Sequence, residues 1–128
     1  MRLSPVFGFG LLVLAACQVG THANNYAPAK GPAGAMIDLR LTDKTRITGE
    51  LLAVEDSAFL VLRDSQLVRV ALFQVRTAAA PKVSFRGKMS EETRERLRLI
   101  SRYPQGVSSE LEGRLRQAYG QSAVTSPS

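Results

Sequence analysis

Between residues 36 and 77 the apolar side chains fall two apart, and this alternation constrains the fold more than any other feature of the chain. Ile37, Leu39 and Leu41 would share one face of a strand, with Asp38, Arg40 and Thr42 on the other. Thr42-Asp43-Lys44-Thr45 reads as a turn into a longer strand, Arg46 to Glu55, in which Gly49 marks a place for a bend or bulge. Glu55-Asp56-Ser57 turns the chain into Ala58–Arg63, and Asp64-Ser65-Gln66 into Leu67–Leu72. A fifth strand would come from Phe73 to Thr77, or from Val83-Ser84-Phe85 after the Ala-Ala-Ala-Pro break. Short strands joined by tight turns predict a small antiparallel barrel over residues 36–86.

The period then changes. Ser90 is placed to cap a helix whose first turn carries Glu91 and Glu92, with Leu97, Ile100 and Tyr103 on one stripe. Pro104-Gln105-Gly106 ends it. Ser109 and Glu112 form a capping-box pattern for a second helix with Leu111, Leu115 and Tyr119 inward, stopped by Gly120. The expected fold class is α+β, mainly β: a five-stranded barrel, a helical pair over 88–120, and a disordered tail over 121–128.

The N-terminus is of another kind. Arg2 precedes an uncharged stretch from Val6 to Ala16, shorter than the ~20 apolar residues that a bilayer-crossing helix needs, but suited to a signal peptide. Leu14-Ala15-Ala16-Cys17 closes it and resembles the lipobox of bacterial lipoproteins. The resemblance implies cleavage before Cys17, acyl chains such as palmitate on its thiol and amine, and an envelope protein anchored in a cell membrane or outer membrane. Gln18, where an aspartate is associated with inner-membrane retention, leans toward the outer membrane. Residues 1–16 would be the signal and 17–35 the lipidated N-terminus and a flexible tether. The alternative is an ordinary secretory signal cleaved after Ala23, which leaves no cysteine. Either way the mature chain has no cysteine pair and works outside the cytoplasm.

A second resemblance rests on IDLRLTDKTRITGELLAVED, Ile37 to Asp56, followed by FLVL from Phe59 to Leu62. These segments look like the first motif of the Sm-like fold, a bent five-stranded barrel whose second strand bends at a glycine and ends near an aspartate, here Gly49 and Asp56. Other small SH3-like barrels or meanders share the same alternation. The Sm-like RNA-binding pattern is not matched, since Ser57, Ala58 and Phe59 follow Asp56 and the loop Leu72-Phe73-Gln74-Val75 has no glycine. Residues 36–77 also carry six bases and six acids, so the segment is neutral in sum and nucleic acid is not an expected partner. Edge pairing into a dimer or ring is a further expectation.

Nothing in the sequence points to catalysis. The only histidine is His22, the acids are scattered, and no G-x-S-x-G or phosphate-cradling loop occurs. The expected function is non-catalytic binding by a lipid-anchored adaptor or assembly factor for other envelope proteins, with no cofactor beyond lipid on Cys17. Two alternatives are a polymer- or anionic-lipid-binding surface made by Arg94, Arg98 and Arg102, and a self-assembling structural protein. A solvated helix face is the plainer reading of these arginines, because Glu92–Arg96, Glu110–Arg114 and Glu112–Arg116 are favourable i,i+4 pairs.

Overall fold

The computed structural model describes residues 34–127; the lipobox-like tetrapeptide, Cys17 and most of the expected tether lie outside them. The strands are β1 (Met36–Leu41), β2 (Arg46–Val54), β3 (Ala58–Arg63), β4 (Gln66–Ala71), β5 (Val75–Ala80) and β6 (Val83–Arg86). A 3-10 turn, Leu72–Gln74, separates β4 from β5, and α1 (Glu91–Ile100) and α2 (Ser109–Ala118) follow the strands. All pairs are antiparallel, in the order β4-β3-β2-β1-β5-β6.

Two expectations need correction. The sheet has six strands rather than five, and it stays open, with no hydrogen-bonded seam between β4 and β6. Both candidates for the fifth strand form: the alanine run lies inside β5, and the turn comes at Pro81 and Lys82. The sheet nevertheless rolls strongly. The rings of Phe59 on β3 and Phe85 on β6 lie 6.4 Å apart, although three strands separate them. A flat sheet would hold them about 19 Å apart at the usual interstrand spacing.

The roll encloses one core and leaves a second outside. Ile37, Leu39, Leu51, Phe59, Val61 and Val70 line the interior, and Leu97 of α1 enters it from the open side. Leu52, Ala53, Leu60 and Leu67 on the opposite face form a separate cluster with Tyr103, Leu111 and Leu115. The strands β2 and β3 are therefore covered on both faces, which is why Leu51–Val54 and Ala58–Val61 run apolar without alternation. A bulge makes the exchange possible. Leu51 pairs with Val61 and Ala53 with Leu60, so Leu52 is the extra residue, and it turns with Ala53 to the outer cluster.

The bulge thus falls at Leu52 rather than Gly49. What Gly49 permits is close packing, since a Cβ there would lie 2.4 Å from the Leu62 carbonyl oxygen. The β3–β4 hairpin turns through Asp64 and Ser65, both at positive φ (50° and 62°), a conformation that matches the right-handed strand twist.

Ser90 caps α1 as expected, its Oγ accepting from Thr93 N at 3.1 Å. The cap of α2 is Ser108, one residue earlier than the capping box placed it, with its Oγ accepting from Leu111 N at 3.1 Å. Glu112 is drawn away to Arg69 instead. Tyr103 lies beyond α1, in the connector to α2, and joins the outer cluster rather than the α1 stripe. The segment expected to be a disordered tail is also ordered along β4. Thr125 exchanges hydrogen bonds with Leu67 O (3.1 Å) and Arg69 N (2.9 Å), and the Gln121 amide accepts from Leu67 N and donates to Leu67 O. These bonds satisfy edge groups of β4 that the open sheet would otherwise leave bare.

Two glycines give opposite predictions. Gly49→Ala should lower unfolding free energy by at least ~2 kcal/mol, on the scale of an overpacked core. Gly113→Ala should raise it by ~0.5–1 kcal/mol, because the helix gains propensity and only Arg116 Nη2, 3.8 Å away, meets the new methyl. Urea denaturation of both variants checks the signs.

Candidate functional site

The arginines expected to form a surface on the C-terminal helices all have partners within the chain, but only Arg102 is buried. Arg94 donates to the backbone carbonyls of Glu55 (2.8 Å) and Asp56, fastening the β2–β3 turn to α1. Arg98 pairs with Glu95 and donates to the Pro104 carbonyl. Arg102 is buried, its side chain 7% exposed, and meets the 4% exposed Glu50 with Nε 2.7 Å from Oε2 and Nη2 2.5 Å from Oε1. Burial alone would lower the Arg102 pKa, but the Glu50 carboxylate overrides it and drives the pKa upward. The three side chains do not make one open patch. Of the expected i,i+4 pairs, Glu110–Arg114 forms at 3.7 Å, whereas Arg96 turns to the Lys82 carbonyl and Arg116 to that of Ser122.

A second group of cations gathers elsewhere. A cleft of about 390 Å³ on the outer face of β1, β5 and β6 is lined by Arg40, Leu41, Lys44, Arg76, Thr77 and Arg86. Register explains the gathering. Arg40 faces Thr77 across β1–β5, and Thr77 faces Arg86 across β5–β6, so these three form one transverse row. The register then slips: Leu41 pairs with Val75, leaving Arg76 as the extra residue of a bulge. Val75 and Ala78 on either side are buried, so Arg76 and Thr77 both turn outward where strict alternation would send one of them inward.

Lys44 reaches the same place from the β1–β2 turn, held at φ 73°, a left-handed conformation that costs a non-glycine residue roughly 1 kcal/mol. The nearest acid on the β1 face is committed: Asp38 accepts from Arg46 Nε (2.9 Å) and Nη2 (2.8 Å) and from Thr48. The Arg46 hydrogen bonds hold the Asp38 carboxyl below its ordinary pKa. Asp43 turns back to accept from Thr45 N. Four cations therefore line the cleft, and no acid is among its described lining residues, although Arg40 also acts through space on the Asp38 carboxylate.

At the same end of the sheet, Thr42 N donates to Gln74 O at 2.8 Å, joining the β1–β2 turn to the 3-10 turn. That turn carries Phe73, 85% exposed, well above the other exposed large apolar side chains, Leu99 (61%) and Met36 (45%). A second cleft, of about 380 Å³, lies beside β4 and the C-terminal segment and mixes Arg63 with Asp64 among neutral groups. Among the described residues no group of histidine, cysteine, aspartate and glutamate is placed to hold a metal, and no helix is long and apolar enough to cross a membrane.

The basic cleft was not legible in the sequence, where the neutral sum over residues 36–77 concealed it. The one available signal was the polar doublet Arg76-Thr77 between Val75 and Ala78, which breaks the alternation where the bulge falls. Comparison with protein families, curated proteins and solved structures finds no match to this chain.

Replacing one member of the buried pair should be costly. Arg102→Met removes the guanidinium that faces the buried Glu50 carboxylate and should destabilise the protein by about 3–5 kcal/mol. The double variant Glu50→Gln/Arg102→Met should recover part of that loss. Arg98→Ala, at an exposed pair, should move the melting temperature far less. Thermal melts of the four proteins read this order.

Proposed function

We propose that this chain is a lipid-anchored protein of the bacterial cell envelope that acts by non-catalytic binding, as an adaptor or assembly factor on the membrane surface. The observation that carries the reading is the tetrapeptide Leu14-Ala15-Ala16-Cys17 at the end of a short apolar run. The arrangement of the domain supports it. Two cores and a buried ion pair make a small, well-tied body, and its open cleft presents fixed positive charge rather than a nucleophile paired with a base. The rolled sheet is compatible with an opened relative of the Sm-like or SH3-like barrels, but the functional reading does not depend on that kinship.

Binding through the sheet face is favoured over binding through the helices, because Arg94, Arg98 and Arg102 are spent on internal contacts whereas the cleft has no acid among its described lining residues. Metabolic labelling of cells with a palmitate analogue tests the anchor. Tagged full-length chain should take up label and remain with the membrane fraction, and Cys17→Ser should lose both properties. Label retained in the Cys17→Ser chain, or wild-type chain recovered unlabelled from the soluble fraction, would overturn the reading.

A further inference from the structure

We propose that the end of the sheet carrying Arg40, Lys44, Arg76, Arg86 and Phe73 docks on a bilayer of anionic phospholipids, so that the domain lies against the membrane in a fixed orientation. The proposal rests on the envelope reading and adds to it a second contact, made by the folded domain. Membrane-surface docking asks for two chemistries side by side: cations that meet lipid phosphates, and an exposed aromatic or aliphatic group that enters the boundary between headgroups and acyl chains.

Both are present at one end of this sheet. The four cations line a single cleft without an acid among its described lining residues. Phe73 sits on the turn whose neighbour Gln74 is hydrogen-bonded to the β1–β2 hairpin that carries Lys44. Phe73 is the most exposed large apolar side chain among the described residues, and it stands at the same end of the sheet as the cleft. A soluble anion would engage the cations and leave the ring unused, whereas an anionic bilayer uses both.

Geometry allows the anchor and the cleft to act together. Sixteen residues separate Cys17 from Gly34, and such a segment spans at most ~55 Å when extended. The chain enters β1 at Met36, and the cleft lies at the opposite end of that six-residue strand, about 15 Å away. An acylated Cys17 can therefore stay in the bilayer while the far end of the sheet faces it. Acyl chains on both the thiol and the amine of Cys17 would hold the chain at the membrane by themselves, so the basic cleft would set the orientation of the domain rather than its attachment.

The chain has no tryptophan, so Phe73→Trp supplies a single fluorescent reporter at the docking end. Full-length protein carrying it is reconstituted in, or added to, vesicles of phosphatidylcholine alone and vesicles also containing phosphatidylglycerol. The expected result is a blue shift of the emission, with quenching by brominated lipid, in the anionic vesicles only, reversed by high salt. Changing Arg40, Lys44, Arg76 and Arg86 to glutamine should abolish the shift, and each single change should weaken it roughly fivefold in lipid affinity.

Circular dichroism checks that these variants fold, and the salt reversal provides an independent test of charge if the quadruple variant does not. Emission that stays at the solvent-exposed wavelength in both vesicles would overturn the proposal. So would an equal shift in neutral and anionic vesicles, which would mark insertion without charge recognition. Binding of a soluble anionic glycan as tight as that of the vesicles, with the indole emission of the Phe73→Trp protein unmoved, would reassign the cleft to a polymer. The reporter senses docking whether or not Cys17 is acylated, so failure here is separable from failure of the palmitate experiment.

Discussion

The structure depends on one buried ion pair. Pairing between β1 and β2 stops at Met36 and Glu50, just before β2 turns its next residues toward two different cores. The backbone of Leu51 and Leu52 would be stranded there, and it is satisfied from elsewhere: Leu51 N by Ala35 O, Leu51 O by Arg102 N, and Leu52 O by Tyr103 N. Glu50 and Arg102 hold that junction, and Gly34 N also donates to Glu50 Oε2 at 2.7 Å. Taking two charges out of water is expensive, so the pair adds little net stability over well-packed apolar side chains. What it fixes is position. Arg102 lies in the connector between the helices, so the same contact sets α1 against the inner core and α2 against the outer one.

Two bulges divide the outer face of the sheet between packing and solvent. The one at Leu52 turns two apolar residues toward α2, and the one at Arg76 turns two polar residues into a bare cleft. A single local device, one extra residue in one strand, thus makes a hydrophobic seat at one place and an electropositive surface at another. The acids that balance these cations in the sequence are held by other partners. Glu50 is buried, Asp38 is tied to Arg46, and Glu55 and Glu112 both hold Arg69 on the far side of the sheet.

This separation explains what could and could not be read in advance. Strand positions were legible because alternation and turn residues are local: Ala58–Arg63 matches its expected bounds, and β2 and β4 match to within a residue. The Ser90 cap was legible for the same reason. The second core was hidden, although the unbroken apolar run Leu51–Val54 announces a strand covered on both faces. The fates of Arg94 and Arg102 were not legible, because their partners lie 39 and 52 residues away, whereas Arg98 pairs with Glu95 one turn back on its own helix, as a solvated helix face allows. Helical spacing places side chains on a face, and only the tertiary fold decides what that face meets. The basic cleft needed a register slip that no composition or charge count contains.

The bond between the C-terminal segment and β4 has a consequence for symmetry. A ring assembled by strand addition requires each copy to offer two complementary edges. Here β4 spends the backbone groups of Leu67 and Arg69 on Gln121 and Thr125, so of the two terminal strands of the sheet, β4 and β6, one already has its margin occupied. Copies that joined through β6 would meet like edge to like edge across a twofold axis, and the product would present no further edge for growth. For as long as residues 121–125 stay bound to β4, strand addition along that margin is blocked, and growth through both edges would first have to peel them away.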